Sequence, residues 1–240
     1  MVTRLDLAML PAEAAAMDAD CYIVVDVLRA TTTIAALFGA GLGNLLIVDD
    51  IDTALRRARA DGRLLFGEVR GLPPDGFDFG NSPVEAGDAP VAGREAVLFT
   101  TNGTKALRRL AGRGALFAGA LVNVTALANA AMAFGRVAVV CSGSAGGTGF
   151  ALDDFAAAAA IVVRVAALAP EVSLGDAARL GCQLAERPGW PQDTVRSSHH
   201  AGLLRHLGLE ADVDYASQLD ILDVAPRVEL LAGGDVSVRL

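Results

Sequence analysis

The stretch Cys21-Tyr22-Ile23-Val24-Val25-Asp26-Val27-Leu28-Arg29-Ala30-Thr31-Thr32-Thr33 decides how the chain reads. Its first five residues are apolar and bounded by an aspartate at each end, which is a buried-strand signal. The uncharged run Ile34-Ala35-Ala36-Leu37-Phe38 after the threonines reads as a helix. Asp26 therefore ends a strand, and Thr31, Thr32 and Thr33 open a helix. In an open α/β sheet, ligands bind in the crevice beyond the carboxyl ends of the strands, where a helix N-terminus offers free N–H groups to an anion. Two readings fit this junction. Either Asp26 and Thr31 are caps and Arg29 is solvated, or a carboxylate, a guanidinium and hydroxyls gather around a ligand.

Outward from this junction, strand and helix signals alternate. Strands are predicted over 3–9, 44–48, 63–66, 95–100, 115–118 and 137–141, and helices over 11–17, 51–60, 106–110, 123–134 and 153–169. This alternation predicts an α/β fold: a mostly parallel sheet covered by helices in three layers. From Ser173 the chain reads as mainly helical, over 174–187, 194–207 and 210–219, before a hairpin of 227–232 and 236–240 around Gly233-Gly234-Asp235. Residues 1–240 are expected to form one unit, with two α/β subdomains, 1–135 and 136–240, as the alternative division.

With 240 residues, 53% of them hydrophobic, the chain can bury a large core. The net charge of −8 argues against nonspecific binding to nucleic acid or an anionic membrane, so an anionic ligand would need locally placed cations. Cys21, Cys141 and Cys182 show neither a disulfide framework nor zinc-ligand spacing, and a reducing cytoplasm is expected. The uncharged runs 30–48 and 114–135 are long enough to raise the question of membrane spans. Each contains Thr or Asn and several glycines and divides into a helix and a strand, so both read as core. Arg4, Asp6 and Glu13 interrupt the N-terminus, and no signal-peptide core is expected there.

Polar candidates collect after the strands. The segment from Gly67 to Pro83 is too rich in Gly and Pro for a regular element, and loops of this length in a compact domain tend to be functional. It carries Glu68, Arg70, Asp78 and Asn81; the other reading is a surface excursion with Asn81 or Ser82 capping the helix that Pro83 begins. Thr101-Asn102-Gly103-Thr104-Lys105 repeats the strand-to-helix junction, with Gly103 allowing close backbone approach. Lys105, the only lysine in the chain, is either a phosphate contact or an ordinary exposed residue. The loop 142–149 is glycine-rich but lacks the ending of a nucleotide P-loop. Asp153 and Asp154 open a helix, as dipole partners or as metal and water ligands. His199, His200 and His206 have no metal-ligand spacing and read as surface residues, with His199 or His200 reaching the site as the alternative. Carboxylates without thiols suit a hard cation, and Mg²⁺ commonly joins one or two carboxylates to a phosphate. The residues thus point to Mg²⁺-assisted chemistry on a small phosphorylated or carboxylated anion.

Four ordered stretches, Val25-Asp26-Val27-Leu28-Arg29-Ala30-Thr31-Thr32-Thr33, Gly67-Glu68 with Gly76-Phe77-Asp78-Phe79-Gly80-Asn81-Ser82-Pro83, Thr100-Thr101-Asn102-Gly103-Thr104, and Gly149-Phe150-Ala151-Leu152-Asp153-Asp154, resemble the successive motifs of the 2-phosphosulfolactate phosphatases. The segment 198–208, Asp212-Val213-Asp214-Tyr215, Asp220 and Pro226 resemble the C-terminal part of that family, so the likeness runs from about Asp20 to Pro226. It implies an α/β fold, Mg²⁺ dependence and hydrolysis of the phosphate ester of a 2-hydroxy acid, with 2-phosphosulfolactate giving sulfolactate on the route to coenzyme M. The sequence departs from the family pattern in three places. Asp153 stands where Glu is usual, Val69 separates Glu68 from Arg70, and the glycine-rich loop before Phe150 is extended.

The resulting assignment places Asp26, Glu68, Asp153 and Asp154 as catalytic candidates, with Asp26, Asp153 and Asp154 holding the metal. Arg29, Thr31, Thr32, Asn102, Gly103, Thr104 and Lys105 are expected to bind phosphate. Arg70 and Asn81 are expected to hold the second acid, and Asp78 is a further acid, base or ligand candidate near the substrate. The expected partner is a small anionic phosphorylated substrate, with no nucleic acid and no membrane, in a cytoplasmic homo-oligomer. The alternative is a noncatalytic phospho-acid-binding protein derived from the same fold.

Overall fold

The computed structural model describes all 240 residues. Ten strands, β1 (Arg4–Ala8), β2 (Cys21–Val25), β3 (Asn44–Val48), β4 (Leu64–Gly67), β5 (Glu95–Phe99), β6 (Ala115–Gly119), β7 (Arg136–Cys141), β8 (Ser173–Leu174), β9 (Arg227–Leu230) and β10 (Val236–Arg239), form one sheet in the order β4-β5-β3-β10-β9-β6-β2-β7-β1-β8. The helices are α1 (Pro11–Ala14), α2 (Ala30–Gly39), α3 (Ile51–Asp61), α4 (Pro83–Asp88), α5 (Gly103–Leu110), α6 (Val124–Ala131), α7 (Leu152–Leu168), α8 (Asp176–Leu184), α9 (Gln192–Arg196), α10 (His199–His206) and α11 (Glu210–Ala216). The fold is α/β with a mostly parallel sheet flanked by helices; only the pairings made by β9 and β10 are antiparallel.

The central strand shows why the sequence pattern was continuous rather than alternating. All five residues of β2 are buried, as in a strand covered on both faces. Cys21, Ile23 and Val25 join a core with Phe155, Ile161, Val162 and Val165 of α7. Tyr22 and Val24 join a second core with Ile34, Leu37 and Phe38 of α2 and Leu107 and Leu110 of α5. The two uncharged runs divide between elements, α2 with β3 and β6 with α6, and no helix is long and apolar enough to cross a membrane.

The hairpin of β9 and β10 sits inside the sheet, between β6 and β3. Three successive antiparallel pairings there reverse strand direction, so the β3-β5-β4 block runs opposite to the β6-β2-β7-β1 block. In a flat sheet the carboxyl ends of the two blocks would lie on opposite edges. Sheets twist by roughly 20–25° per strand, and the five steps from β5 to β2 accumulate to about 100–125°. Gly103, after β5, accordingly packs against Asp26, after β2, although four strands separate β5 from β2 in the sheet. Twist and curvature therefore bring the two sets of strand ends together over α2 and α5.

Two helical expectations change in the C-terminal part. The helix expected over 174–187 starts at Asp176, because Ser173 and Leu174 pair with β1. The helix expected over 194–207 is two helices, with Ser198 between them accepting from the Ala201 N–H as the N-cap of α10.

Candidate functional site

A cavity of about 570 Å³ lies where the two blocks of strand ends meet. Asp26 and Arg29 reach it from the β2–α2 junction, Glu68, Arg70, Gly71 and Asn81 from the loop after β4, and Thr100, Thr101 and Asn102 from the junction after β5. Ala145 and Gly146 come from the loop after β7, while His200, Leu203, Leu204, His206 and Leu207 wall it from α10 and its C-terminal end.

The two carboxylate oxygens of Asp26 differ in their surroundings. Oδ1 accepts from the Ala30 N–H at 3.2 Å and so caps α2. Oδ2 accepts no hydrogen bond from the protein, and a Cβ at position 103 would lie 2.7 Å from it and 2.6 Å from Ala30 Cβ. Only glycine permits that approach. Burial raises the Asp26 carboxyl above its ordinary range, and the charges of Asp153 and Glu68 add to the effect against His200 and the Ala30 N–H.

Asp153 and Asp154 are adjacent on α7 but differ in what they touch. Asp154 Oδ1 accepts from Val27 N at 3.0 Å, and Oδ2 accepts from Ser142 Oγ and Gly143 N, each at 3.0 Å. It therefore ties together the ends of β2 and β7 and does not line the cavity. Burial pushes its carboxyl well above the ordinary range, and Asp153 and Asp26 add to this. Asp153 is buried, and its Oδ2 has no hydrogen bond, with His200 Nδ1 3.5 Å away. Burial lowers the His200 imidazole, but the pull of Asp153 and Asp26 outweighs it and leaves the group above its ordinary value.

Several residues expected to bind substrate have other partners. Thr31 Oγ1 donates to Asp26 O, Thr32 Oγ1 donates to Val27 O, and Thr104 Oγ1 donates to Thr100 O, so these hydroxyls close the strand-to-helix turns. Asp78 accepts from Leu65 N at 2.8 Å and staples its loop to β4, outside the cavity. Lys105 is exposed on α5 and does not reach the cavity. Gly103 serves through its missing side chain rather than as a lining group.

Other expected residues do face the cavity. Glu68 accepts from Gly71 N at 2.8 Å, Thr101 N at 2.7 Å and Thr101 Oγ1, bracing the loop after β4 against the turn after β5. Asn102 accepts from Gly146 N at 2.9 Å and holds the glycine-rich loop over the site. Arg29 forms a buried ion pair with Asp212 at 2.6 Å. Asn81 Oδ1 is buried without a hydrogen bond, and Arg70 is exposed, makes no ion pair and has φ of 53°. The sequence placed His200 at the site only as an alternative and left out the rest of the α10 wall, Leu203, Leu204, His206 and Leu207. His200 and His206 line the cavity rather than merely standing on the surface, whereas His199 is exposed away from it. The signal available in sequence was the apolar Leu203-Leu204 pair between two histidines, which periodicity alone cannot distinguish from ordinary core.

The hard oxygen atoms Asp26 Oδ2, at the cavity, and Asp153 Oδ2, on a buried side chain that does not itself line the cavity, accept no hydrogen bond from the protein and fit a cation such as Mg²⁺. Asp154 does not fit as a direct ligand, because backbone and hydroxyl donors already occupy both its oxygens. No group of three or more His, Cys, Asp or Glu side chains is arranged as a metal cage. The donor set thus suits a cation that shares its coordination with a substrate phosphate.

A sequence model of the family described as 2-phosphosulpholactate phosphatase matches residues 9–230. A Deinococcus radiodurans protein named probable 2-phosphosulfolactate phosphatase is 42% identical over 222 residues, 90% of each chain. A protein of the same name from Thermus thermophilus is 39% identical over 220 residues, again 90% of each chain. A third, from Carboxydothermus hydrogenoformans, is 35% identical over 231 residues, 96% of this chain and 95% of its own.

Proposed function

The chain belongs to the 2-phosphosulfolactate phosphatase family, and from that premise we propose that it is a Mg²⁺-dependent phosphoric monoester hydrolase that converts 2-phosphosulfolactate to sulfolactate and inorganic phosphate. The observation that carries this reading is the free Oδ2 of Asp26 at the floor of a cavity that also holds Arg29, Asn102 and His200. Mg²⁺, held by Asp26 and Asp153, would neutralise charge on the phosphoryl group. Arg29 supplies donors to the phosphoryl oxygens from the other side, in the fork geometry that suits phosphate. Water attacks phosphorus as the bridging P–O bond breaks, and His200, which faces the cavity from α10, donates a proton to the oxygen that leaves as the 2-hydroxyl and is reprotonated by the proton the water loses. Glu68 and Asp154 hold the loops that form the cavity and exchange no proton with the substrate.

The exposed guanidinium of Arg70 and the side-chain amide of Asn81 lie on the loop after β4 and receive the second acidic group. The apolar side chains of Leu203, Leu204 and Leu207 face the three-carbon body of the substrate. The direct test is phosphate release from 2-phosphosulfolactate, phospholactate and phosphoglycolate, with Mg²⁺ and with chelator. The expected result is turnover that disappears on chelation and is fastest with 2-phosphosulfolactate. A folded protein without turnover on this panel overturns the enzymatic reading, and turnover that survives chelation overturns the metal assignment.

A further inference from the structure

Asp212 is 2% exposed on α11, at the centre of a polar network that spans the cavity rim. Its Oδ2 lies 2.6 Å from Arg29 Nη1, and its Oδ1 accepts from Ser82 Oγ at 2.5 Å. The same Ser82 Oγ accepts from Glu85 N at 3.1 Å and caps α4. Arg29 Nη2 donates to Gly71 O at 2.7 Å, and Gly71 N donates to Glu68. Arg29 is therefore held at both ends of its fork, while Nε makes no hydrogen bond within the protein and the side chain lines the cavity. Guanidinium has five N–H groups, so this arrangement leaves donors for a ligand while removing the freedom of the long side chain.

Stability alone does not account for such a pair, because well-packed apolar residues commonly replace a buried ion pair without loss. We propose that Asp212 is a positioning residue for phosphate recognition, acting through Arg29 and set from the C-terminal helices onto the β2–α2 junction. The inference rests on the phosphatase reading above only for the identity of the substrate. Asp212 itself does not line the cavity. Its carboxylate also cancels the charge of Arg29, so two effects oppose each other when it is removed. A neutral residue 212 would increase the attraction of Arg29 for an anion, yet release the fork from its orientation. Of the two, orientation dominates.

The test uses Asp212→Asn, which keeps the shape and the Ser82 contact but not the charge. Two readouts are measured, binding of inorganic phosphate by calorimetry and steady-state kinetics on 2-phosphosulfolactate. The expected result is phosphate binding and KM each weakened by about tenfold to a hundredfold, with kcat changed by less than about threefold. Ser82→Ala should shift binding the same way by about two- to fivefold. Unchanged or tighter phosphate binding by folded Asp212→Asn, or a fall in kcat at constant KM, overturns the proposal. If Asp212→Asn does not fold, Ser82→Ala decides, since unchanged phosphate binding there also overturns it. A wild-type protein that binds phosphate in an Asp212-dependent way but turns over no phospho-acid would refute the functional reading and leave the positioning role standing. No phosphate binding by the wild type refutes the positioning role.

Discussion

Around the cavity, the Arg29 guanidinium is braced by protein partners, with the Asn81 amide oxygen the one buried exception beside it, while Asp26 and Asp153 are each left with a carboxylate oxygen that has no donor. Around Arg29, the guanidinium meets Asp212 and Gly71 O, Asp212 meets Ser82, and Glu68 meets Gly71 and Thr101. Asp26 Oδ2 and the buried Asp153 Oδ2 each accept no hydrogen bond, and burial disfavours the charge on Asp26. The cationic end is rigid before a ligand arrives. The carboxylate end costs stability in the empty protein, and a bound cation would relieve that cost. Unsatisfied polar groups at a cavity are the pattern expected when activity and stability draw on the same residues.

Replacing Asp26 by Asn tests the deprived end most severely. The substitution keeps an acceptor for Ala30 N but removes the charge, and turnover should fall by about a thousandfold or more. Stability in chelator should move the opposite way. The folded-state carboxyl of Asp26 is raised above its unfolded value, so its contribution is fully present below the ordinary carboxylate pKa of about 4 and is lost as pH rises through the raised value. Asp26→Asn should therefore be more stable than the wild type at neutral pH, with the advantage shrinking toward pH ~4. Denaturant midpoints across that range check it, and a variant less stable at neutral pH would break the comparison.

The neighbouring aspartates of α7 sharpen it. Asp154→Ala strands the Val27 and Gly143 N–H groups and the Ser142 hydroxyl, and should cost roughly 3 kcal/mol or more. Asp153→Ala removes an oxygen that has no hydrogen bond but stands 3.5 Å from His200 Nδ1, and should cost the metal-free protein about 1 kcal/mol or less, well short of Asp154→Ala. Chemical denaturation of both variants in chelator separates them. Equal losses would mean that Asp153 is as tied to the scaffold as Asp154.

Much of this was legible in the sequence, for identifiable reasons. Continuous apolar strands alternating with helical runs announced a mostly parallel sheet, and the position of Asp26 between Val25 and the threonines placed it at a strand end. Which oxygen of Asp26 is free depends on Gly103 across four intervening strands, and no local pattern carries that. The three hydroxyls of Thr31, Thr32 and Thr104 look identical in sequence whether they meet a phosphate or their own backbone. Arg29 looked free because its partner Asp212 lies 183 residues away on a helix whose packing was not foreseeable. The hairpin of β9 and β10 was legible as a hairpin, but its insertion between β6 and β3, which reverses one block of strands, was not.

The smallest effect belongs to Lys105, the lone lysine and an attractive phosphate ligand on paper. It is exposed on α5 and outside the cavity, while the cations that line the cavity wall are Arg29 and Arg70. Charge beyond the wall acts through solvent, where screening at physiological salt has a length of about 8 Å. Lys105→Ala should therefore leave kcat/KM within about twofold of the wild type, with the small residual effect fading as salt is added. A larger rise in KM that persists at high salt would extend the cationic end to the first turn of α5. The contrast between one satisfied and one deprived end would then have been drawn across too small a site.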